Sequence, residues 1–274
     1  MKIIDLHVHS VHSDGTSTVR DIARLARRRG VSVMALTDHD NIDGWPAFRA
    51  ECRARSIHPV SGVEISAKYD RTVHILGYRI ERFEPLEKTL KWVLSRRDER
   101  NAEIMRRLGQ LGLPVVLDDI RKESGGRVIG RPHFARALVA KGLAPDYASA
   151  FSKFLGRGAA AYVERDGLSP EECVEVIREA RALPVLAHPC LTGLDAEGLG
   201  ELLDRLKTRG LWGLECISSH CSSEKAYEYL SIAEKHSLCP TAGSDFHGSI
   251  RPNTVPGVPV SDNFLPWARL GVTF

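Results

Sequence analysis

A chain of 274 residues is long enough to bury a large core, as one barrel or as two ordinary domains. Its hydrophobic share of 43% and charged share of 27% are those of a soluble globular protein, and no apolar run approaches the ~20 residues that span a bilayer. The net charge of +3 argues against a dedicated nucleic-acid binder. Six cysteines scattered without a Cys-x-x-Cys pair argue against a zinc knuckle or disulfide framework and read as reduced, mostly buried thiols.

The chain opens on Ile3-Ile4 and runs into Asp5-Leu6-His7-Val8-His9-Ser10. A strand here puts His7 and His9 on one side at its carboxyl end, because strand side chains alternate between faces. Two imidazoles so placed can share a metal ion, although an isolated His-x-His pair more often has no such role. With candidate ligands beginning at residue 7, no signal segment could precede them and be removed, so a cytoplasmic location is expected. Thr18 with Asp21 reads as a capping box for a helix that Gly30 stops, its last turn carrying Arg27-Arg28-Arg29. Val31 to Leu36 is a second strand, closed by Thr37-Asp38-His39-Asp40. A helix from Trp45 to Arg55 leads to a third strand, His58 to Val63, which ends in Glu64. Thr72 to Tyr78 is a fourth, carrying His74.

From Phe83 to Gly167 the pattern changes to helices, near 86–108, 118–123, 133–141 and 147–154, with one weak strand at Pro114 to Leu117. This segment, 83–167, is expected to be a helical insertion into a barrel domain formed by 1–82 and 168–274. Between Arg96 and Arg136 it carries ten Lys/Arg against six Asp/Glu, a local +4 that could draw in a phosphorylated substrate or be a solvated helix face. Ser169-Pro170 then opens a helix to Ala182. Strands at 184–187, 213–216 and 239–242 follow, with helices at 199–209 and 223–236 between them; the first strand ends at His188 and the last at Ser244-Asp245-Phe246-His247. Seven strands mostly linked by helices predict a parallel α/β barrel, whose reactive groups gather at the carboxyl ends of the strands.

His7, His9, Asp14, His39, Glu64, His74, His188, Asp245 and His247 fall at those ends. Nine imidazoles and carboxylates exceed what one ion can use, and mixed nitrogen and oxygen donors suit zinc, manganese or iron. The motifs Asp5-Leu6-His7-Val8-His9-Ser10, Ser13-Asp14-Gly15, Thr37-Asp38-His39, Gly62-Val63-Glu64, His74, Ala187-His188-Pro189 and Gly243-Ser244-Asp245-Phe246-His247 resemble, in order, those of the polymerase and histidinol phosphatase (PHP) superfamily. The resemblance implies a distorted seven-stranded β/α barrel with two to three divalent metal ions. One would take His7, His9, Glu64 and Asp245, a second Glu64, His74 and His188, and a third Asp14, His39 and His247. The insertion, with Ile129-Gly130-Arg131-Pro132-His133-Phe134, is similar to the branch of nucleoside 3′,5′-bisphosphate phosphatases and 5′-to-3′ exoribonucleases, where it would cap the barrel mouth. The loop Cys216-Ile217-Ser218-Ser219-His220 departs from that branch, which has an aromatic and a proline before the Ser-His pair.

That resemblance implies phosphoester hydrolysis by a metal-bound hydroxide, on a phosphorylated nucleotide or short RNA, with neither membrane nor obligate protein partner. Arg131, His133, Ser219 and His220 would contact the substrate, Arg131 through the bidentate fork that suits phosphate oxygens. Arg131 could instead be a surface residue before a helix, and His133 a metal ligand or a plain helix-start residue. Asp5 and Asp38 read as partners that orient the ligating imidazoles. Rival readings are histidinol-phosphate phosphatase, an amidohydrolase, which would need a bridging carboxylated lysine at a strand end, and a metal-free PHP scaffold.

Overall fold

The computed structural model describes residues 1–124 and 126–272. Its strands are β1 (Lys2–Asp5), β2 (Val31–Leu36), β3 (His58–Ser66), β4 (His74–Tyr78), β5 (Leu183–Leu186), β6 (Gly213–Ser218), β7 (Cys239–Gly243) and β8 (Val258–Val260). They form one sheet in the order β7-β6-β5-β4-β3-β2-β1-β8. Ile4, Val33, Val60, Leu76, Val185, Ala242 and Val260, from seven strands, share one buried cluster, which requires the sheet to curl. Closure comes just past the ends of β1 and β7. Leu6 N donates to Ala242 O (3.1 Å), Asp245 N to His7 O (2.8 Å) and His9 N to Phe246 O (2.9 Å), leaving a nearly closed barrel. Gly243 permits this approach, because a Cβ there would lie 2.3 Å from the Cβ of His7.

Two features depart from the expected all-parallel barrel. β4 runs antiparallel to both β3 and β5. Only residues 67–73 separate β3 from β4, too few for the crossover that a parallel pair needs. His74 therefore sits at the start of its strand, paired with Ser66, and still reaches the same mouth as the other strand ends. The short β8, absent from the sequence reading, pairs antiparallel with the first half of β1. β1 thus offers one edge to two partners, β8 below and the β7 extension above. The Pro114–Leu117 stretch forms no strand: Pro114 has no N–H to give a ladder, and the segment connects two helices, with Val115 buried between them.

The helices are α1 (Val19–Arg28), α2 (Trp45–Arg53), α3 (Phe83–Gln110), α4 (Leu117–Ser124), α5 (Arg131–Ala140), α6 (Tyr147–Ala150), α7 (Pro170–Glu179), α8 (Ala196–Thr208) and α9 (Ser223–Lys235). α1 starts where Thr18 accepts from Asp21 N, and its Val19, Ile22, Ala23 and Ala26 pack with β2 residues. α7 carries a full capping box, Ser169 with Glu172. α3, 28 residues and so about 42 Å long, carries the chain from the far end of β4 up to the mouth, where Arg97 meets Asp40 and Ser66. There α4, α5, α6 and a π-helical turn (Phe151–Leu155) close over their own buried cluster, Ile104, Leu108, Ile120, Phe134 and Leu138 among others. No helix among the described residues is long and apolar enough to cross a membrane. The six cysteines are free, three of them buried.

Asp5 fastens the β1–β7 seam. Its two oxygens accept from Ser244 N (2.8 Å), Ser244 Oγ (2.6 Å), Gly257 N (2.8 Å) and His7 N (3.3 Å). It does not touch an imidazole, so its role is to hold backbone and not, as expected, to orient a ligand ring. Asp38 behaves alike, accepting from Ser10 N, Ser10 Oγ and Ser13 Oγ at 2.6 to 2.8 Å. Asp5→Ala leaves several buried donors without an acceptor, each worth about 1 to 3 kcal/mol. Urea denaturation should show a loss of at least about 3 kcal/mol on that basis, and a loss under about 1 kcal/mol would show that the seam does not depend on this carboxylate.

Candidate metal centre

The mouth of the barrel collects all nine ligand-type residues around Glu64, which is 1% exposed. Its Oε1 lies 2.9 Å from His74 Nδ1 and 2.9 Å from His188 Nε2. Its Oε2 lies 3.2 Å from His7 Nε2, 3.1 Å from His9 Nε2 and 3.1 Å from His39 Nδ1. Asp245 Oδ1 faces the same imidazoles, 3.4 Å from His7 Nε2 and 3.2 Å from His9 Nε2. On the other side of His9, Asp14 approaches His247 Nε2 (3.4 Å), His9 Nδ1 (3.6 Å) and His39 Nε2 (3.8 Å). His188 and Asp245 both hold positive φ, 23° and 53°, a strain that persists only where neighbours enforce it. Glu215 accepts from His188 N (2.7 Å), and Asp245 N donates to His7 O.

Three groupings place donor atoms within 4.8 Å of one another: His7, His9, Glu64, Asp245; His9, Asp14, His39, His247; and His39, Glu64, His74. The first matches the set expected for one ion. In the second His9 joins the expected trio, and in the third His39 stands where His188 was expected, His188 touching Glu64 beside it. His9, His39 and Glu64 each belong to two groupings, so the cluster is continuous.

The buried polar atoms test whether a cation fits. Glu64 Oε2, Asp245 Oδ1, His39 Nδ1 and His188 Nδ1 are buried without a hydrogen-bond partner. Orphaned acceptors in a dry site are costly, and a divalent cation is the partner that satisfies imidazole nitrogen and carboxylate oxygen together. Burial opposes ionisation of Glu64, yet the imidazoles of His39, His7 and His74 hold it well below the usual carboxylate range. Asp245 is held low against burial by His7, His247 and Arg251, and burial drops His39 to about 3, leaving that ring neutral. Ionised carboxylates and a neutral ring are the forms that bind metal.

A PHP domain model matches residues 5–111. The chain is 34% identical over 250 residues to a 3′,5′-nucleoside bisphosphate phosphatase of Chromobacterium violaceum, 90% of this chain and 88% of that one. It is 30% identical over 248 residues to a 5′-3′ exoribonuclease of Haemophilus influenzae, covering 90% of each. Among solved structures, a Chromobacterium violaceum protein described as an amidohydrolase, with bound sulfate and no metal, superposes with a TM-score of 0.86 at 30% identity, over 98% of this chain and 95% of that one. The chain belongs to the PHP family. It is a phosphoester hydrolase, with a cavity over the cluster.

That cavity lies between the cluster and the helices at the mouth. Asp14, His39 and His74 line it together with Arg97, Arg100, Arg131, His133 and Arg165. Arg131 donates to Leu155 O (3.2 Å) and stacks over Tyr162. His133 Nδ1 accepts from Gly130 N (2.8 Å), which leaves Nε2 to carry the proton, and burial lowers the ring to about 4. His133 is thus a neutral helix-capping ring whose Nε2 is a donor, not a free lone pair for metal. Ser219 is exposed in the turn after β6, whereas His220 turns inward, its Nε2 2.7 Å from Asp245 Oδ2.

The sequence reading missed Glu215 and Arg251. Glu215, 0% exposed, binds His7 Nδ1 at 2.9 Å and so fixes the tautomer that leaves Nε2 free. A glutamate inside the apolar run Gly213-Leu214-Glu215-Cys216 was the available signal. Arg251 grips Asp245 Oδ2 and lies 2.9 Å from His220 Nε2, leaving Asp245 Oδ1 to the cluster; no motif announced it. Glu215→Ala frees the His7 ring, so chelator competition followed by elemental analysis should show metal affinity ~10- to 100-fold weaker. Unchanged affinity would mean that His7 is held by packing alone.

Proposed function

We propose that the chain cuts the phosphoester on O3′ of nucleotides bearing a 5′-phosphate, releasing the 3′-phosphate of nucleoside 3′,5′-bisphosphates and, by the same chemistry, trimming short 5′-phosphorylated RNA. Two to three divalent ions, manganese, iron or zinc, would be held by His7, His9, Asp14, His39, Glu64, His74, His188, Asp245 and His247. Bound there, they would supply a water acidic enough to attack at neutral pH and offset the charge of the transition state. The observation that carries this reading is the shared cavity, lined both by ligand-type residues and by four guanidiniums.

The two substrates present one pattern, a 5′-phosphate, a ribose and a phosphorus on O3′. A site that seats the O3′ phosphorus at the cluster and the 5′-phosphate on the cationic wall can act on either. The names of the relatives, a bisphosphate phosphatase and an exoribonuclease, support the same pairing. Residues 83–167 would serve as the cap that supplies Arg131 and His133. Arg131 offers its free N–H groups to phosphate oxygens, and His133 donates from Nε2. Inside the barrel, His220, held by Asp245 and Arg251, would orient the reacting phosphate from the β6 side. Binding energy at the non-reacting phosphate then serves to position the reacting one.

His9→Ala or Asp245→Ala should abolish turnover while the far-ultraviolet circular dichroism stays native, and the wild-type protein should carry two to three equivalents of metal by elemental analysis. Metal-free protein with undiminished hydrolysis in chelator would eliminate the mechanism. Incubation with adenosine 3′,5′-bisphosphate should yield the 5′-monophosphate by chromatography; the 3′-monophosphate, or no reaction alongside rapid histidinol-phosphate hydrolysis, would overturn the substrate assignment.

A further inference from the structure

The cationic wall is not uniform. Four guanidiniums, Arg97, Arg100, Arg131 and Arg165, line the cavity above His39 and His74. One is neutralised by a carboxylate, and one, without a carboxylate of its own among the described residues, is turned aside by a carbonyl and a ring. Arg97 is paired with Asp40, whose other oxygen accepts from Ser66 N, and Arg131 is turned toward Leu155 O and the face of Tyr162. Arg100 and Arg165 have no carboxylate within 4.0 Å among the described residues. Arg165 spends one N–H on Ala67 O (3.2 Å). Arg100 is only 6% exposed, and its buried Nε has no hydrogen-bond partner at all.

A buried cation without a counter-charge is among the costliest arrangements in a protein, and folds retain one where a ligand supplies the missing charge. The strain is visible in the groups themselves. Burial, and then the guanidiniums of Arg97, Arg165 and Arg131, push Arg100 down to about 8. Burial and Arg97 push Arg165 down to about 10. Asp40 opposes both shifts, and Arg97 already occupies it. The wall therefore holds an excess of positive charge, and its unsatisfied N–H groups belong to Arg100 on α3.

We propose that Arg100, with Arg165 beside it, is the anchor for the non-reacting phosphate monoester of the substrate, and that Arg131 is a secondary contact. The assignment rests on the bisphosphate reading above and names its anchoring residue. Planar guanidiniums present paired N–H groups that match two oxygens of a terminal phosphate, and a doubly charged monoester compensates both cations at once. Neither residue was singled out by the sequence, where Arg100 is one of many arginines in a helical run.

The test compares Arg100→Met, Arg100→Lys and Arg131→Met with the wild type in two assays. In the first, thermal melting of the purified protein is followed with adenosine 5′-monophosphate or adenosine. The nucleotide should raise the wild-type melting temperature and adenosine should not. Arg100→Met should abolish that rise, Arg100→Lys should keep part of it, and Arg131→Met most of it. Without nucleotide, Arg100→Met should melt no lower than wild type, because an uncompensated charge has been removed. In the second assay, kcat/KM for adenosine 3′,5′-bisphosphate should fall roughly 10- to 100-fold in Arg100→Met, the range for a hydrogen bond to a charged group, and by far less for an aryl phosphate. A nucleotide-induced rise that survives Arg100→Met, or equal kinetic losses on both substrates, overturns the anchor. If the wild type releases no phosphate from the bisphosphate, the substrate reading fails. The melting arm then still decides whether Arg100 binds a 5′-phosphate.

Discussion

One carboxylate, Glu64, sets the terms for the rest of the molecule. It is almost completely buried and lies within 3.2 Å of nitrogens from five histidines. Taking an anion out of water costs several kcal/mol unless cations or strong donors replace the hydration. In the protein alone the imidazoles divide: burial keeps His39 and His74 low, whereas His7, His9 and His188 are drawn up against burial by Glu215, Glu64 and Asp245, so like charges crowd on one another. Metal ions would resolve the conflict, since a divalent cation satisfies a carboxylate oxygen and the lone pairs of neutral rings together. The orphaned Oε2 of Glu64 and Oδ1 of Asp245 are the residue of that conflict in the protein alone.

Bringing five imidazoles to one carboxylate constrains the backbone. His7 and His9 come from the end of β1, and Asp245 and His247 from the end of β7. These two ends must meet, which accounts for the glycine at 243, the Asp5 clasp and the positive φ of Asp245. His74 comes from the other direction. With β4 reversed, the amino end of that strand, and not its carboxyl end, supplies the ligand, and Ser66 opposite it leaves room beside Glu64. The reversal also leaves the chain at the bottom of the barrel, so that α3 climbs back to the mouth and, about half-way along, delivers Arg97 and Arg100 there. A single strand direction thus links the ligand set to the cationic wall.

Most of the nine ligand-type residues were legible because they sit in short motifs at or just after predicted strand ends, which local periodicity is enough to find; His74 stood alone inside its strand. What local pattern could not show was direction and distance. Residues 72–78 read as a strand whichever way they run, and only the seven-residue link before them hinted at a reversal. Asp5 and Asp38 looked like ring partners because they flank histidines in sequence; in space they bind backbone amides and serine hydroxyls across the β1–β7 seam and the β1–β2 side. Glu215, 208 residues from His7, and Arg251, which bonds His220, have no local signature that could pair them. The same holds for β8, three residues long, whose identity depends on lying beside β1.

The division of charge across the cavity explains why one fold can use two kinds of cation. The barrel wall concentrates carboxylates and neutral rings, a surface that binds metal and, through it, the oxygens of a reacting phosphate. The proposed cap carries guanidiniums, planar forks whose paired N–H groups would suit a phosphate that stays in place. Metal on both walls would not distinguish the two phosphates, and arginine on both would leave no activated water. Asp40 marks the border: it ties Arg97 of α3 to Ser66 of β3, two residues from Glu64, so the spacing between the walls is set by a buried ion pair at the strand end and not by the loops above it. If Arg100 anchors the non-reacting phosphate as proposed, the span between the two phosphates, more than the base, would be the quantity such a site reads.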